Sequence, residues 1–237
     1  MSLIRIDRLL SDMGLGSRSQ AKEWIKKGQV QVDGCVCRNT EQKVDAGIQE
    51  IKLNGRIVCY EEYVYYILHK PAGCVTALKD KKNKTVMDYM PKECRKDLTP
   101  VGRLDKDTEG LLLFTNDGKL AHQLLSPKSH VDKTYFARVK GKVTSEDVEA
   151  FMEGLDIGDD KRTLPARLTV RKCGQVSEVE VIVCEGRFHQ IKRMFQAVGK
   201  EVIYLKRISF GKLVLDNTLK VGQYRKVKKE DILDDCK

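Results

Sequence analysis

From residue 61 onward, six stretches are patterned as β-strands, at 64–69, 110–115, 133–140, 166–171, 178–184 and 213–216. Three are patterned as helices, near 119–125, 145–153 and 190–198. The two kinds do not alternate strictly. That order argues against a parallel βαβ sheet and for a mixed, mainly antiparallel sheet with flanking helices, an α+β domain. Thr144 and Asp147 have the spacing that caps the second helix, and Gly199 ends the third.

The residues before 61 have a different pattern. Ile6, Leu9, Leu10 and Met13 recur on one helical face, with Gly14 as a stop. Ser17 and Gln20 form a capping box for a second helix with Ala21, Trp24 and Ile25 on its buried side and Gly28 at its end. Val30, Val32 and Val36 alternate around Asp33-Gly34, a hairpin signal, and a further strand at 50–53 or 57–60 is needed to cover so small a core. Glu61-Glu62 marks the change of composition. The expected division is therefore residues 1–60, a helix–helix–hairpin unit with a short linker, and residues 61–237. Arg18, Lys22, Lys26 and Lys27 lie on the second helix away from its apolar stripe, a face suited to a phosphate backbone. The run RIDRLLSDMGLGSRSQAKEWIKKGQVQVDG resembles the RNA-binding module named after small-subunit ribosomal protein four. That resemblance implies RNA binding by those four bases.

With 44 basic and 34 acidic residues among 237, the net charge is +10, which favours an anionic partner, nucleic acid before an anionic membrane surface. No apolar run approaches the roughly 18 residues of a membrane span, and Asp7 and Asp12 interrupt the N-terminus where a signal peptide would be apolar. A cytoplasmic, monomeric protein is expected. Eight cysteines, at 35, 37, 59, 74, 94, 173, 184 and 236, contain no C-x-x-C pair, so reduced thiols are expected rather than a zinc site or a disulfide framework. Cys35 and Cys37 are expected on one face of their strand.

The segment GRLDKDTEGLLLFTNDG, residues 102–118, sets Asp105, Asp107 and Glu109 within five residues immediately before an apolar strand. A calcium loop fails on its twelfth position, Asn116, and on its flanks, since Thr99-Pro100-Val101-Gly102 cannot be helical. A solvated turn accounts for Asp107 and Thr108 through side-chain bonds to the turn backbone, but leaves Arg103 and Asp105 unexplained. In extended geometry those two point the same way, so Asp105 is a candidate nucleophile or base with a cation beside it.

This segment resembles the signature of ribosomal small-subunit RNA pseudouridine synthases. Lys70-Pro71-Ala72-Gly73, Lys133-Thr134-Tyr135, EGRFHQIKRMFQAVG (185–199), LKRISFG (205–211) and VGQYRKV (221–227) match in the same order. The resemblance implies a cofactor-free and metal-free isomerisation of uridine to pseudouridine. It puts the essential carboxylate at Asp105, an aromatic ring against the base at Tyr135, and the cation that holds the carboxylate at Lys192, with Arg193 as the neighbouring candidate. Arg103, Arg187, Gln190 and Arg193 are then expected on the RNA, and His189 is expected to fix its loop by a hydrogen bond. The His-Gln-Ile-Lys-Arg-Met form and PKSHVDKTY resemble the branch acting on 16S ribosomal RNA, with a small-subunit assembly intermediate as the partner. Residues 187–212 hold seven bases against Glu201 alone, which reads as an RNA-facing wall. The alternatives are a synthase acting on large-subunit RNA and a non-catalytic ribosome-assembly protein.

Overall fold

A computed structural model describes residues 3–91 and 97–233. The described residues divide into two compact units, one of residues 3–64 with 91, 97 and 98, the other of residues 65–90 and 99–233. Cys94 and Cys236 lie outside the described residues.

In the first unit β1 (Ile4–Arg5), α1 (Ile6–Asp12), α2 (Arg18–Lys26), β2 (Val30–Val32), β3 (Cys35–Val36), β4 (Lys43–Val44), β5 (Ile51–Leu53) and β6 (Arg56–Ile57) follow in order. Ile6, Leu9, Leu10, Ala21, Ile25, Val30 and Val44 are fully buried together. The capping box at the start of α2 is formed: Gln20 N donates to Ser17 Oγ at 3.2 Å and Ser17 N to Gln20 Oε1 at 2.7 Å. Asp33 and Gly34 have φ of 51° and 80°, the left-handed pair that joins strands of right-handed twist. Asn54-Gly55 does the same between β5 and β6, with φ of 52° and 76°. The sheet order is β3-β2-β5-β6, so the strand at 51–53 covers the hairpin. Cys35 is exposed while Cys37 is buried. The strand ends at Val36, which releases Cys37 to turn inward and corrects the expectation of a shared face.

The second unit contains β7 (Tyr65–Lys70), β8 (Thr99–Pro100), β9 (Glu109–Thr115), α3 (Gly118–Leu125), β10 (Lys133–Lys140), α4 (Ser145–Glu153), β11 (Arg167–Lys172), β12 (Val176–Val183), α5 (Gln190–Ala197), β13 (Glu201–Phe210), β14 (Leu213–Val214) and β15 (Tyr224–Val227). The sheet runs β11-β12-β10-β13-β9-β7-β15, with β14 on β13 and β8 on β9. Its named pairings are antiparallel except β13 with β9. One core packs α4 and α5 on β10–β13 around Phe151, Met194 and Phe195, and another packs α3 on β7 and β9 around Leu111, Leu113 and Leu124. The α+β architecture is thus the one read from the sequence. Three strands of this unit went unread, the two-residue β8 and the longer β13 and β15. β13 pairs with β10 and β9 at the middle of the sheet, and β15 lies at its edge beside β7. Charge obscured β13, because Lys206 and Arg207 interrupt its apolar alternation.

The parallel junction of β13 and β9 depends on a glycine. Gly110 pairs with Arg207, has φ of 111°, and a Cβ there would lie 2.2 Å from the Arg207 carbonyl oxygen. Arg207 itself is 2% exposed and donates from Nε to Leu111 O at 2.8 Å. It belongs to the core and not to an RNA-facing wall. Lys200 also leaves that wall, since its ammonium bonds buried Asp147 at 2.6 Å.

Candidate active site

Three segments of the second unit meet around Asp105. The 102–109 loop supplies the carboxylate, β10 supplies Tyr135, and the 185–189 turn with the first turn of α5 supplies the cations. Asp105, Arg103, Tyr135, Arg187, His189 and Gln190 line one half-open cavity, with Leu205, Val183 and Ile191 also lining it. The Asp105 side chain is 28% exposed and the Lys192 side chain 26%, with Lys192 Nζ 3.3 Å from Asp105 Oδ2. Such a carboxylate is reachable from solvent yet shielded enough for one cation to matter.

The loop is held from below. Lys70 ends the apolar strand β7 and is fully buried. Its ammonium donates to the carbonyls of Pro71 (3.0 Å), Asp105 (3.0 Å) and Thr108 (2.9 Å). Three acceptors for three N–H groups make burial of the charge tolerable. Burial still pulls this ammonium below the usual lysine range, against the opposing pull of Cys74, Asp105, Asp107 and Glu109. Gly73 N donates to Lys106 O at 2.7 Å, and Thr76 Oγ1 bonds Leu104 O at 2.7 Å. Lys70 was legible only as a motif residue. A lysine closing an apolar strand is the signal that its head group is spent internally.

The three acidic residues diverge. Asp105 faces Lys192, Asp107 Oδ1 accepts from Lys192 Nζ at 2.6 Å, and Glu109 Oε2 accepts from Tyr204 Oη at 2.7 Å. Burial would raise Asp107, but the Lys192 ammonium outweighs it and holds the carboxyl below its usual range. Asp107 therefore serves the lysine before the turn backbone, and Thr108 Oγ1 has no hydrogen-bond partner among the described residues. The Thr108 hydroxyl thus corrects the solvated-turn reading, and the Lys192 contact adds to it at Asp107. Tyr204, half-buried beside Glu109, is pushed up to about 12, by burial first and then by the carboxylate that accepts its proton.

The helix explains which cation meets Asp105. Ile191, Met194 and Phe195 are buried on one face of α5, so Lys192 and Arg193 leave on opposite sides of that stripe. Lys192 turns to Asp105. Arg193 bonds Asp159 Oδ1 at 2.5 Å, Phe188 O at 3.1 Å and the carbonyl of Ile157. Asp159 is held below the carboxylate range chiefly by that guanidinium. Arg187 is tied to Glu185 Oε2 at 3.0 Å and to the carbonyls of Lys161 (2.6 Å) and Arg162 (2.8 Å), while Gln190 Oε1 accepts from Arg187 N at 3.0 Å. His189 adopts a left-handed backbone, φ 49°, and its Nε2 lies 3.5 Å from Asp105 Oδ1. It faces the carboxylate, where a hydrogen bond to its own loop had been expected.

Tyr135 reaches the cavity through an irregularity of the sheet. Thr134 pairs with Ser209 but Tyr135 with Arg207, so Ile208 is an extra residue in β13. Such bulges re-aim neighbouring side chains. In the first unit Arg18, Lys22, Lys26 and Lys27 are all exposed on α2, and Lys27 is paired with Glu23 at 2.6 Å.

A carboxylate paired with an ammonium, sharing a half-open cavity with an aromatic ring, has the chemistry of an enzyme site. Residues 64–197 match the RNA pseudouridylate synthase family, and residues 4–47 match the S4 domain. The chain belongs to the RNA pseudouridylate synthase family. It is 42% identical over 231 residues to an uncharacterized RNA pseudouridine synthase of Bacillus subtilis strain 168, covering 97% of both chains. It is 41% identical to ribosomal large subunit pseudouridine synthase B of the same strain, covering 89% of this chain and 87% of that one. To ribosomal small subunit pseudouridine synthase A of Vibrio cholerae it is 36% identical, covering 97% and 98%. A pseudouridylate synthase crystal structure superposes with a TM-score of 0.67 at 33% identity, covering 96% and 97%.

Proposed function

We propose that this pseudouridine synthase converts one uridine of 16S ribosomal RNA to pseudouridine, with Asp105 as the catalytic carboxylate. The observation that carries the assignment of roles is that Asp105, paired with Lys192 at 3.3 Å, shares a cavity with Tyr135. The reaction breaks the bond from C1′ to N1 of uracil, turns the base, and joins C1′ to C5. The C5 proton is lost and N1 gains one. Atoms and electrons balance within one nucleotide, so the reaction needs no oxidant, reductant or second substrate. Asp105 attacks the ribose or the base, or removes a ribose proton. Lys192 keeps the carboxylate oriented, Tyr135 stacks on the flipped uracil and stands near the C5 proton, and Arg103, Arg187, Gln190 and Arg193 line or brace the RNA path. Residues 61–237 are the catalytic domain. Residues 1–60 bind RNA through Arg18, Lys22, Lys26 and Lys27, which supply sequence-independent attraction to phosphates. The protein acts as a cytoplasmic monomer on a small-subunit assembly intermediate; among the described residues no helix is long and apolar enough to cross a membrane.

The small-subunit target is supported by the His189-Gln190-Ile191-Lys192-Arg193-Met194 form and by the relative of that name aligned over 97% of this chain. A large-subunit target is the second reading, favoured by the 41% identity to the large-subunit enzyme. Mapping pseudouridine in ribosomal RNA from cells with and without the gene separates them. One 16S pseudouridine is expected to vanish, to return with the wild-type gene, and to stay absent with Asp105→Asn. Loss at a 23S position overturns the small-subunit target, and turnover by Asp105→Asn overturns the catalytic assignment.

A further inference from the structure

We infer that Phe188 is a stacking subsite for a nucleobase flanking the target uridine. This rests on the reading of the cavity as a pseudouridine synthase site. The ring is 68% exposed, the most exposed large aromatic among the described residues. It does not hang free. One face stacks on His189, ring centroids 3.8 Å apart and 17° from parallel, and His189 Nε2 lies 3.5 Å from Asp105 Oδ1. The exposed ring is thus one aromatic layer away from the catalytic carboxylate.

The turn that carries it is rigid and otherwise spent. Glu185 accepts from Leu164 N at 2.9 Å and from Gln190 Nε2 at 3.0 Å. Arg187 closes onto Glu185 and two carbonyls, and Arg193 holds the Phe188 carbonyl at 3.1 Å. His189 enters α5 from a left-handed conformation, which costs energy for a non-glycine residue and fixes the direction of both rings. The polar side chains of Glu185, Arg187 and Gln190 are all bonded to partners, and the one apolar side chain points out. The ring is held by the His189 stack on one side, and its exposure leaves aromatic surface on a well-braced turn for a flat partner. An extruded uridine leaves its neighbours without a stacking partner on that side, and an aromatic face beside the pocket replaces it. The occupant is a base rather than a phosphate, because the ring carries no charge and its neighbouring guanidiniums are already engaged.

The test uses the full chain with small-subunit assembly particles from cells lacking the gene and with the ribosomal RNA extracted from them. Wild-type protein should form a pseudouridine in one of the two; if none forms in either, the functional reading fails and the subsite with it. On a fragment spanning the modified position, Phe188→Ala should lose about tenfold to a hundredfold in kcat/KM, the range of one base–aromatic stack, with unchanged melting temperature. Phe188→Trp should stay within threefold of wild type. An abasic nucleotide replacing the 5′ or the 3′ neighbour should cost wild type tenfold or more at one of the two positions, and cost Phe188→Ala less than threefold there. Equal abasic penalties in both proteins, Phe188→Ala within threefold of wild type, or loss by Phe188→Trp as well, each overturn the subsite while leaving the catalytic assignment standing.

Discussion

Replacing Lys192 with methionine removes one positive charge and leaves the aliphatic stem in place. The ammonium lies 3.3 Å from Asp105 and 2.6 Å from Asp107, so two carboxylates lose their common cation. Two unit charges about 4 Å apart attract by roughly 1 kcal/mol in water and roughly 4 kcal/mol near a protein surface. Side chains of Lys192 and Asp105 that are 26% and 28% exposed fall between those limits. About 1.4 kcal/mol is a factor of ten, so kcat should drop between about fivefold and several hundredfold. Lys192→Arg keeps the charge and should recover part of the rate. Single-turnover pseudouridine formation at increasing enzyme concentration separates the chemical step from RNA binding. A lysine that served only as a phosphate contact would instead weaken binding and lower the salt slope of affinity by about 0.7–0.9. The slope is expected not to change. A rate within threefold of wild type, or a loss confined to half-saturation with a lower salt slope, would refute the positioning role.

Two further predictions concern the frame around the site. Tyr204 titrates at about 12 in the folded chain against 10.0 in the ordinary case, so the folded state holds this proton more tightly. The resulting stabilisation is complete below pH 10 and is lost as pH rises from about 10 to about 12. Urea midpoints should therefore fall less steeply between pH 9.5 and 11.5 for Tyr204→Phe than for wild type, and equal slopes would remove the claim. Gly110→Ala should destabilise by about 3 kcal/mol or more in urea melts, since its Cβ meets the Arg207 backbone at 2.2 Å and its φ is 111°. Gly118→Ala, with open space at Cβ, is the control expected to fall within about 0.5 kcal/mol of wild type.

Local signals carried the elements where one residue type has one physical use. Ser17 with Gln20, Asp33-Gly34 and the buried stripe of α5 satisfy backbone or bury area within a few residues of themselves, so their spacing is enough. The bases of 187–212 were less legible, because a lysine or arginine has several uses that look alike in a string. Lys192 faces Asp105, Arg193 braces Asp159, Lys200 compensates buried Asp147, and Arg207 spends its guanidinium on Leu111 O. β13 was hidden for the same reason.

The amino-acid order alone determined the mainly antiparallel α+β unit, the small helical unit before it, and Asp105 as the residue to watch, since periodicity, turn chemistry and motif order act over short separations. Only the tertiary structure decided which partner each charge meets. Lys70 lies 35 residues from Asp105, whose carbonyl it bonds, and Lys192 lies 85 from Asp107, and contacts across such separations exist only after β7, β9 and α5 have been brought together by the burial of their apolar faces.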